Sequence, residues 1–352
     1  MPDQSPVPGT ADTRAVPPVA TAPGPAASLS PWARLGLWAF VALIVAITVT
    51  ALVTDVRRVG GLLGAISPAW AGAILAAVGF NYLLRFLKWE FFLRRLGLVI
   101  GLRDSLWIFF SAFTMVLSPG KLGELMKSVL LRNRYGIPVA RSAPIVLAER
   151  LTDLLGLVIL GLAGSSRFAV GTGGLVVLGG GLVVLVLLVS RPAFWGFLDR
   201  SVVGRFPRLA PLRRSFQTLQ ESSRHLLSLP SLALTVPLSA VSWAGEGVAL
   251  FFIFRALGVD RPELLGIAVF SHAVSSVLGA LSFLPGGLGV TEGALGGLFL
   301  YVGIAREQAV SATLLIRAVT LWFAVALGTA VWLNGRRPDE TLERQEPPAP
   351  VG

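Results

Sequence analysis

The stretch "LSPGKLGELMKSVLLR", residues 117–132, places a Pro-Gly break and several charged side chains directly after the apolar run "WIFFSAFTMVL". The pattern returns at residues 283–295, where "FLPGGLGVTEGAL" repeats Pro, Gly, any residue, Leu, Gly and then Glu. Proline removes a backbone donor and ends a helix, and glycine permits the turn that follows. The two stretches therefore predict two related helix breaks in one fold.

The composition predicts an integral membrane protein. Of the 352 residues, 54% are hydrophobic and 14% are charged, and the mean hydropathy is +0.74. Soluble domains carry roughly 25% charged residues, so this balance is unusual for a chain that folds in water. Apolar runs such as "LGLWAFVALIVAITVTALV", from Leu35, approach the ~20 residues that a helix needs to cross a bilayer.

Hydropathy indicates an all-α polytopic fold with eight hydrophobic segments. Two segments, beginning near Ser105 and Leu264, end at the Pro-Gly motifs, and we interpret them as re-entrant hairpins that return to the face from which they entered. The alternative is a tight turn between two ordinary spans. The remaining six segments are predicted full spans near residues 32–54, 69–93, 144–164, 172–190, 231–254 and 309–333.

Each predicted break starts a new helix, whose N-terminal amides and positive dipole end would favour an anion such as a phosphate. Freed backbone groups at membrane depth are tolerated only in protein or beside a wet cavity, so the breaks should line a cavity. The residues predicted to form the two hairpin turns are Pro119, Gly120, Gly123, Pro285, Gly286, Gly287 and Gly289.

The similarity between the two halves extends beyond the Pro-Gly motifs. "EFFLRRLGL" at 90–98 pairs with "LFFIFRALGV" at 250–259, and Arg150 pairs with Arg317 in the same order. With the spans given above, the repeat halves, about 69–164 and 231–333, enter the membrane from opposite faces. An inverted-topology repeat of this kind is a known route to alternating access, with the substrate site where broken helices meet.

The chain divides by composition into a membrane domain and two tails. Residues 1–31, rich in Pro and Ala, are predicted to be a disordered tail, and residues 336–352 a polar tail. The domain between them, 32–335, contains a basic loop at 191–230. Arginine-rich loops sort to one side, so the positive-inside tendency predicts a multi-pass protein of the cell membrane with both termini in the cytoplasm.

Charged residues inside a predicted span are functional candidates by default, because each costs ~2.5–3.5 kcal/mol on insertion scales. "IVLAERLTDLLGLVIL", residues 145–160, carries Glu149, Arg150 and Asp153. Two inward arginines, Arg150 and Arg317, would match the oxygens of a phosphodiester. The predicted substrate-binding residues are Lys121, Glu124, Glu149, Arg150, Asp153, Glu292 and Arg317.

A structural interpretation of the same charges stays open. In it, Arg150 and Arg317 pair with carboxylates and only hold the helices together. His272 is expected to form a hydrogen bond between helices rather than to carry a proton. The carboxylates available for such pairs are Glu149, Asp153, Glu246 and Glu292.

The stretches "PGKLGELMKSVLLRNRYGIPVARSAPIVLAERLTDLL" and "LPGGLGVTEGALGGLFLYVGI" resemble the flippase-like membrane region of lysylphosphatidylglycerol synthases. The resemblance covers most of residues 32–334. In fused members of that family, this region moves aminoacylated phosphatidylglycerol between leaflets while a separate domain makes it. After Trp332 only about twenty polar residues remain, so we expect no synthase domain. The resemblance therefore implies the handling of an anionic lipid without naming it.

Three functions compete at this stage. The first is a flippase or transporter of an anionic phospholipid or a polyprenyl-phosphate-linked lipid. The second is a membrane transferase acting on a lipid phosphate, with Glu124, Asp153 or Glu292 as base, but Asp-x-Asp, Walker and His-containing catalytic patterns are missing, so we do not predict an enzyme. The third is a scaffold that anchors another protein through the basic loop.

The expected partners are membrane lipids and an enzyme that supplies the lipid, and no nucleic acid is expected. The chain has no cysteine and two histidines, which excludes thiolate ligands and makes an imidazole metal site improbable. Without a nucleotide-binding motif, no cofactor is expected either.

Overall fold

The computed structural model describes residues 64, 66–118, 123–168, 172–203 and 213–335. These residues are helical, with short connecting turns and no strand among them. Some sequence-based predictions lie outside the described residues: the span 32–54, the tails 1–31 and 336–352, and the turn residues Pro119, Gly120 and Lys121.

The helices are numbered here in chain order, and shorter helical turns keep their ranges. They are α1 (Pro68–Arg95), α2 (Leu102–Ser111), α3 (Met126–Tyr135), α4 (Val139–Phe168), α5 (Thr172–Val189), α6 (Pro192–Leu198), α7 (Arg213–Leu226), α8 (Leu229–Ala256), α9 (Leu264–Leu281), α10 (Val290–Tyr301), α11 (Arg306–Arg317) and α12 (Phe323–Asn334). The 3₁₀ turns Ala112–Met115 and Pro285–Gly287 and the π turns Asp199–Val203 and Ala318–Trp322 join some of them.

Five stretches of helix in the described part of the chain are long and apolar enough to cross a membrane. They are Pro68–Arg95, Thr172–Val189, Leu229–Ala256, Leu264–Leu281 and Arg306–Asn334. Four of them match predicted spans, which confirms a helical integral membrane protein.

The other two long predictions differ in detail from the structure. Helix α4 covers the predicted span 144–164 and is 30 residues long, and it differs from the five in carrying three charged residues close together at its centre, Glu149, Arg150 and Asp153. Helix α9 was expected to be only a hairpin limb, and at 18 residues it measures ~27 Å, enough to cross. It can do so because it contains no Asp, Glu, Lys or Arg.

The predicted basic loop 191–230 is largely helical where it is described. Helix α7 packs against α4 and buries Leu226, while Arg224 and His225 are exposed. Its apolar and polar residues fall on opposite faces, a pattern that stabilises a helix lying against the bundle. The segment is therefore an amphipathic helix and its flanking turns rather than an open loop.

Helices α1 and α8, which occupy equivalent places in the repeat, form an antiparallel pair. The rings of Trp70 and Phe252 lie 6.0 Å apart near one end of the pair. In the middle, Asn81 Nδ2 donates to the carbonyl of Ser242 over 2.9 Å. Asn81 and Ser242 are 161 residues apart, the same separation as Gly97 and Gly258, so equivalent positions meet at the centre of the pair.

The two helices also end in the same way. Gly97 has φ +65° and Gly258 has φ +76°, a left-handed conformation that glycine adopts without steric cost. The amide of Leu98 donates to the carbonyl of Leu93, as that of Val259 does to Phe254, both over 2.9 Å. The sequence repeat is therefore a repeat of local structure.

The two helices of each predicted hairpin, α2 with α3 and α9 with α10, are joined at their outer ends. Arg134, at the end of α3, lies 2.8 Å from Asp104 at the start of α2. Arg261, just before α9, donates to the carbonyl of Val302, just after α10, over 2.7 Å. In each predicted hairpin, the start of the first helix therefore lies beside the end of the second helix.

The inner ends of the two pairs meet each other. Gly286 lies so close to Leu117 that an added β-carbon would be 2.9 Å from that side chain. Leu117 precedes the first Pro-Gly motif, and Gly286 is part of the second. The two motif regions therefore converge inside the bundle.

Candidate functional site

Arg150 on α4 lies in a cluster of buried charges. Its Nη2 is 3.0 Å from Oε2 of Glu124 and 3.3 Å from Oδ2 of Asp153. Both carboxylates are buried, while the arginine side chain is 21% exposed. Arg150 thus has the pairing with Asp153 that the structural interpretation expected, and it still reaches an accessible space.

Lys88 holds this cluster to the rest of the bundle. Its ammonium on α1 donates to the carboxylate of Asp153 and to the hydroxyl of Ser239, the latter over 2.7 Å. A third contact, to the hydroxyl of Thr152, is 3.4 Å long. Because Ser239 belongs to α8, one buried cation joins three helices.

Glu149, a predicted substrate-binding residue, forms an ion pair with a neighbouring lysine. The ammonium of Lys127 on α3 donates to its carboxylate and lies 4.7 Å from the centre of the Trp89 ring. Both charged side chains are buried. The pair fastens α3 to α4, and Glu149 lines neither cavity described below.

Arg317 binds the second Pro-Gly turn. Its Nε donates to Oε1 of Glu292 over 2.6 Å, and its Nη2 donates to the carbonyl of Gly286 over 2.7 Å. The other oxygen of Glu292 accepts the amide of Gly289 over 2.7 Å. Glu292 therefore caps the start of α10 and orients the arginine at once.

The two repeat-related arginines make equivalent contacts. Arg150 pairs with Glu124, which follows the first Pro-Gly motif, and Arg317 pairs with Glu292, which follows the second. Sequence order had aligned these glutamates only loosely. The shared pairing shows that the correspondence between the halves extends to their charged side chains.

A cavity of about 90 Å³ lies between the helices beside Arg317. It is also lined by Arg85 of α1 and by Glu246 and His272. The second Pro-Gly turn forms part of its wall through Gly286. Among the described residues that line this cavity, two thus carry a guanidinium group and one, Glu246, carries a carboxylate.

Arg150 faces a second cavity of about 190 Å³, which Asp153 also lines. The two cavities adjoin, since Trp243, Ser276 and Gly279 line both. Arg150 and Arg317 therefore reach neighbouring cavities rather than one common cradle.

Sequence reasoning missed Arg85, whose guanidinium has the fewest partners in this region. Its nearest carboxylate oxygen, on Glu124, is 3.9 Å away, and its remaining described contacts are the rings of Phe113 and Trp243 at 5.5 and 5.9 Å. A guanidinium carries five N–H donors, so several stay available to a ligand. Arg85 and Lys88 lie inside the predicted span 69–93. The criterion that identified Arg150, a charged residue inside a predicted span, would therefore have identified them too.

His272 joins two helices, as predicted. Its Nε2 is 3.0 Å from Oε2 of Glu246, which links α9 to α8. The other ring nitrogen, Nδ1, is buried and has no hydrogen-bond partner among the described residues. The His272–Glu246 pair therefore forms one wall of the cavity beside Arg85.

Of the predicted turn residues, Gly123 and Pro285–Gly289 lie in the described part of the chain. The amide of Gly123 donates to the Ser118 hydroxyl over 2.6 Å, which brings both sides of the first motif together. Within the described residues, no group of three or more His, Asp and Glu side chains could hold a metal ion.

Comparison with known proteins gives one family. The model described as "Lysylphosphatidylglycerol synthase TM region" matches residues 37–328. No solved structure matches this chain.

Three curated relatives are similar over much of the chain. A UPF0104 membrane protein of Methanocaldococcus jannaschii is 26% identical over 62% of this chain and 93% of its own length. A UPF0104 membrane protein of Pyrococcus horikoshii is 23% identical over 71% of this chain and 82% of its own. The Haloferax volcanii protein named glycosyltransferase AglD is 25% identical over 71% of this chain, but that match spans 46% of AglD.

Proposed function

This chain belongs to the family of the lysylphosphatidylglycerol synthase TM region, and we propose that it is a membrane lipid flippase or transporter. Its cargo is an anionic phospholipid or a polyprenyl-phosphate-linked lipid. The observation that carries the proposal is Arg85, a cation on a membrane-spanning helix that lines the same cavity as Arg317 and keeps donors available.

The chemistry of this cavity suits a phosphate. Arginine is weakly hydrated and presents a planar fork that matches phosphate oxygens, so it serves where a phosphate leaves water. Arg317 is held in place by Glu292 and by the carbonyl of Gly286, which orients the rest of its guanidinium. Glu246 is engaged by His272, which lowers its competition for Arg85.

The helix lengths support the hairpin interpretation. Helix α10 has 12 residues and rises ~18 Å, short of the ~30 Å hydrocarbon core. Its outer end is joined to the start of α9 by Arg261, which supports a hairpin whose Pro-Gly turn lies within the membrane. Helices α2 and α3, with 10 residues each, are shorter still and are joined in the same way.

The antiparallel pairing of α1 and α8 supports an inverted repeat. When equivalent helices cross antiparallel at equivalent positions, the symmetry axis is perpendicular to them and lies in the membrane plane. Transporters built in this way bind substrate where broken helices meet near the midplane, and they expose it alternately to each side. The convergence of Gly286 and Leu117 matches that arrangement.

Location and partners complete the proposal. We assign the protein to the cell membrane with both termini in the cytoplasm, since the arginine-rich connections then share the cytoplasmic side. The cargo would come from an enzyme that builds the anionic lipid on that side.

The test is leaflet exchange of fluorescent phosphatidylglycerol in proteoliposomes. Arg85→Gln and Arg317→Gln should each slow exchange by at least about tenfold, because a charge-assisted hydrogen bond contributes roughly 1.5–3 kcal/mol. Arg150→Gln should slow it as well. Arg224→Gln, on the exposed face of α7, is the matched control and should exchange like the wild type.

Each variant is first checked for a wild-type unfolding midpoint in detergent, so that loss of exchange is separate from loss of fold. Wild-type protein that moves no tested anionic lipid would reject transport. Equal rates for Arg85→Gln and Arg224→Gln would reject the site.

The similarity to the glycosyltransferase AglD favours a transferase as the second candidate. The same vesicles distinguish it, because a transferase needs a carboxylate base and should lose product formation in Glu124→Gln. Against this role, Glu124, Asp153 and Glu292 are each ion-paired with an arginine, which weakens a base.

A further inference from the structure

An apolar groove of about 350 Å³ runs between α1, α2 and α12 on the outside of the bundle. Leu75 and Leu83, which line it, are 45% and 53% exposed, so the groove opens outward. Gly79 also lines it, and no heavy atom of the described residues lies within 4 Å of a β-carbon placed there. In a membrane protein this opening faces hydrocarbon.

Tyr82 separates this groove from the charged cavity. Its ring lines the groove, where it is parallel to the ring of Phe323 at 6.4 Å. It also contacts Phe113, at 5.1 Å, which lines the cavity. Its hydroxyl donates to the carbonyl of Thr320, another cavity residue, over 3.3 Å. One buried side chain is thus the wall between the two spaces.

The backbone at this wall is irregular. Thr320 lies in the π turn Ala318–Trp322, which starts immediately after Arg317. Single π turns inside helices occur often at functional sites, because they re-aim side chains and carbonyls. Here the turn connects the arginine of the cavity to Phe323, which lines the groove.

We propose that the groove binds one hydrocarbon tail of the transported lipid while its phosphate occupies the cavity between Arg85 and Arg317. The inference rests on the proposed function for the head group. A lipid needs an apolar surface directly beside a polar site, and the groove and the cavity meet at Tyr82. A tail held here keeps contact with the membrane as the head group crosses.

The chemistry of the lining supports a hydrocarbon occupant. Tyr82 is the one groove residue with a polar side-chain atom, and that hydroxyl is bonded to Thr320. The side chains of the other lining residues carry only carbon and hydrogen, so a tail gains apolar contact without leaving a polar side chain unsatisfied.

The absence of cysteine from the chain allows a direct test. Gly79→Cys is reconstituted and treated with alkyl methanethiosulfonates of increasing length, which tether a hydrocarbon in the groove. Phosphatidylglycerol exchange after alkylation should fall at least about fivefold relative to the same variant before treatment, and more with longer chains. Gly72→Cys is the matched control on the same helix, open but outside the groove, and should change by less than about twofold.

A second readout does not require transport. Phosphatidylglycerol with a photoactivatable diazirine near the end of one acyl chain is crosslinked, and peptides from α1 and α5 are compared by mass spectrometry. A specific tail site labels residues 75–86 more strongly than the lipid-facing helix α5, and Arg85→Gln reduces that excess because the head group loses its anchor.

The outcomes separate the two proposals. Equal labelling of α1 and α5, unchanged by Arg85→Gln, shows ordinary boundary lipid and overturns the tail site. Excess labelling that depends on Arg85, in a protein that exchanges no lipid, keeps the tail site and rejects transport. If alkylation slows exchange by Gly72→Cys as strongly as exchange by Gly79→Cys, the assignment of the tail to the groove is also overturned.

Discussion

Lys88 is the residue on which the packing of the charged cluster depends most. Lys88→Met keeps the length of the side chain but leaves the Asp153 carboxylate buried with Arg150 as its remaining cationic partner. Breaking a buried pair costs about 3–5 kcal/mol, so we expect a large fall in the unfolding midpoint in detergent.

The double variant Lys88→Met/Asp153→Asn serves as the comparison. It removes both charges, so it should unfold at a higher temperature than the single variant, while Arg150 keeps Glu124. A single variant as stable as the wild type would show that Lys88 and Asp153 are not coupled.

Sequence reasoning found four of the seven charged residues that these pairs bring together. Glu149, Arg150 and Asp153 were identifiable because charges in apolar segments are costly, and Glu124 because it follows the first Pro-Gly motif. The pairings were not, since Lys88, Lys127 and Arg85 come from helices that only tertiary packing brings near α4. A pairing between residues 65 positions apart, as for Lys88 and Asp153, leaves no trace in local spacing.

At the scale of elements, the contact between α8 and α9 depends on glycine. A β-carbon at Gly247 would lie 2.7 Å from the Cα of Val269, which is backbone and cannot move aside. Gly247→Ala should therefore lower the unfolding midpoint, by the equivalent of about 1–3 kcal/mol of overpacking.

Gly180→Ala, on α5, is the matched control. No described heavy atom lies within 4 Å of its added β-carbon, so the better helix propensity of alanine should leave the midpoint unchanged or raise it. Equal shifts of the unfolding midpoint in the two variants would mean that α8 and α9 are packed less closely than the 2.7 Å distance indicates.

The elements themselves were largely predictable from hydropathy. Four predicted spans begin and end within about three residues of the observed helix ends. They are 69–93, 172–190, 231–254 and 309–333. Two features were not predictable in this way. Helix α7 lies in a polar segment and gains its stability from packing on α4, and the π turn after Arg317 has no distinctive residue pattern.

At the scale of the molecule, the contact between equivalent positions of α1 and α8 is the main support for an inverted repeat. Asn81 and Ser242 meet, as do the opposite ends of the pair, where Arg95 Nη2 lies 3.4 Å from the Ser228 hydroxyl. A repeat whose equivalent helices cross in this way turns one half over relative to the other. The matched glycine turns after α1 and α8 should then lie on opposite faces of the membrane.

That arrangement gives a topology prediction with matched positions. Val99 and Asp260 each follow the corresponding glycine by two residues, and both side chains are mostly exposed, at 89% and 82%. In the cysteine-free chain, an impermeant maleimide added to intact cells should label Asp260→Cys and leave Val99→Cys unlabelled until the membrane is opened.

The substitutions themselves should leave the fold intact, because an exposed pair such as Arg255–Asp260 contributes ~1 kcal/mol or less. Labelling of both positions from the same side would contradict the inverted repeat and, with it, alternating access through the two Pro-Gly hairpins. Labelling of Val99→Cys alone from outside would keep the inversion but reverse the assignment of the cytoplasmic face, since the two halves would still lie on opposite sides.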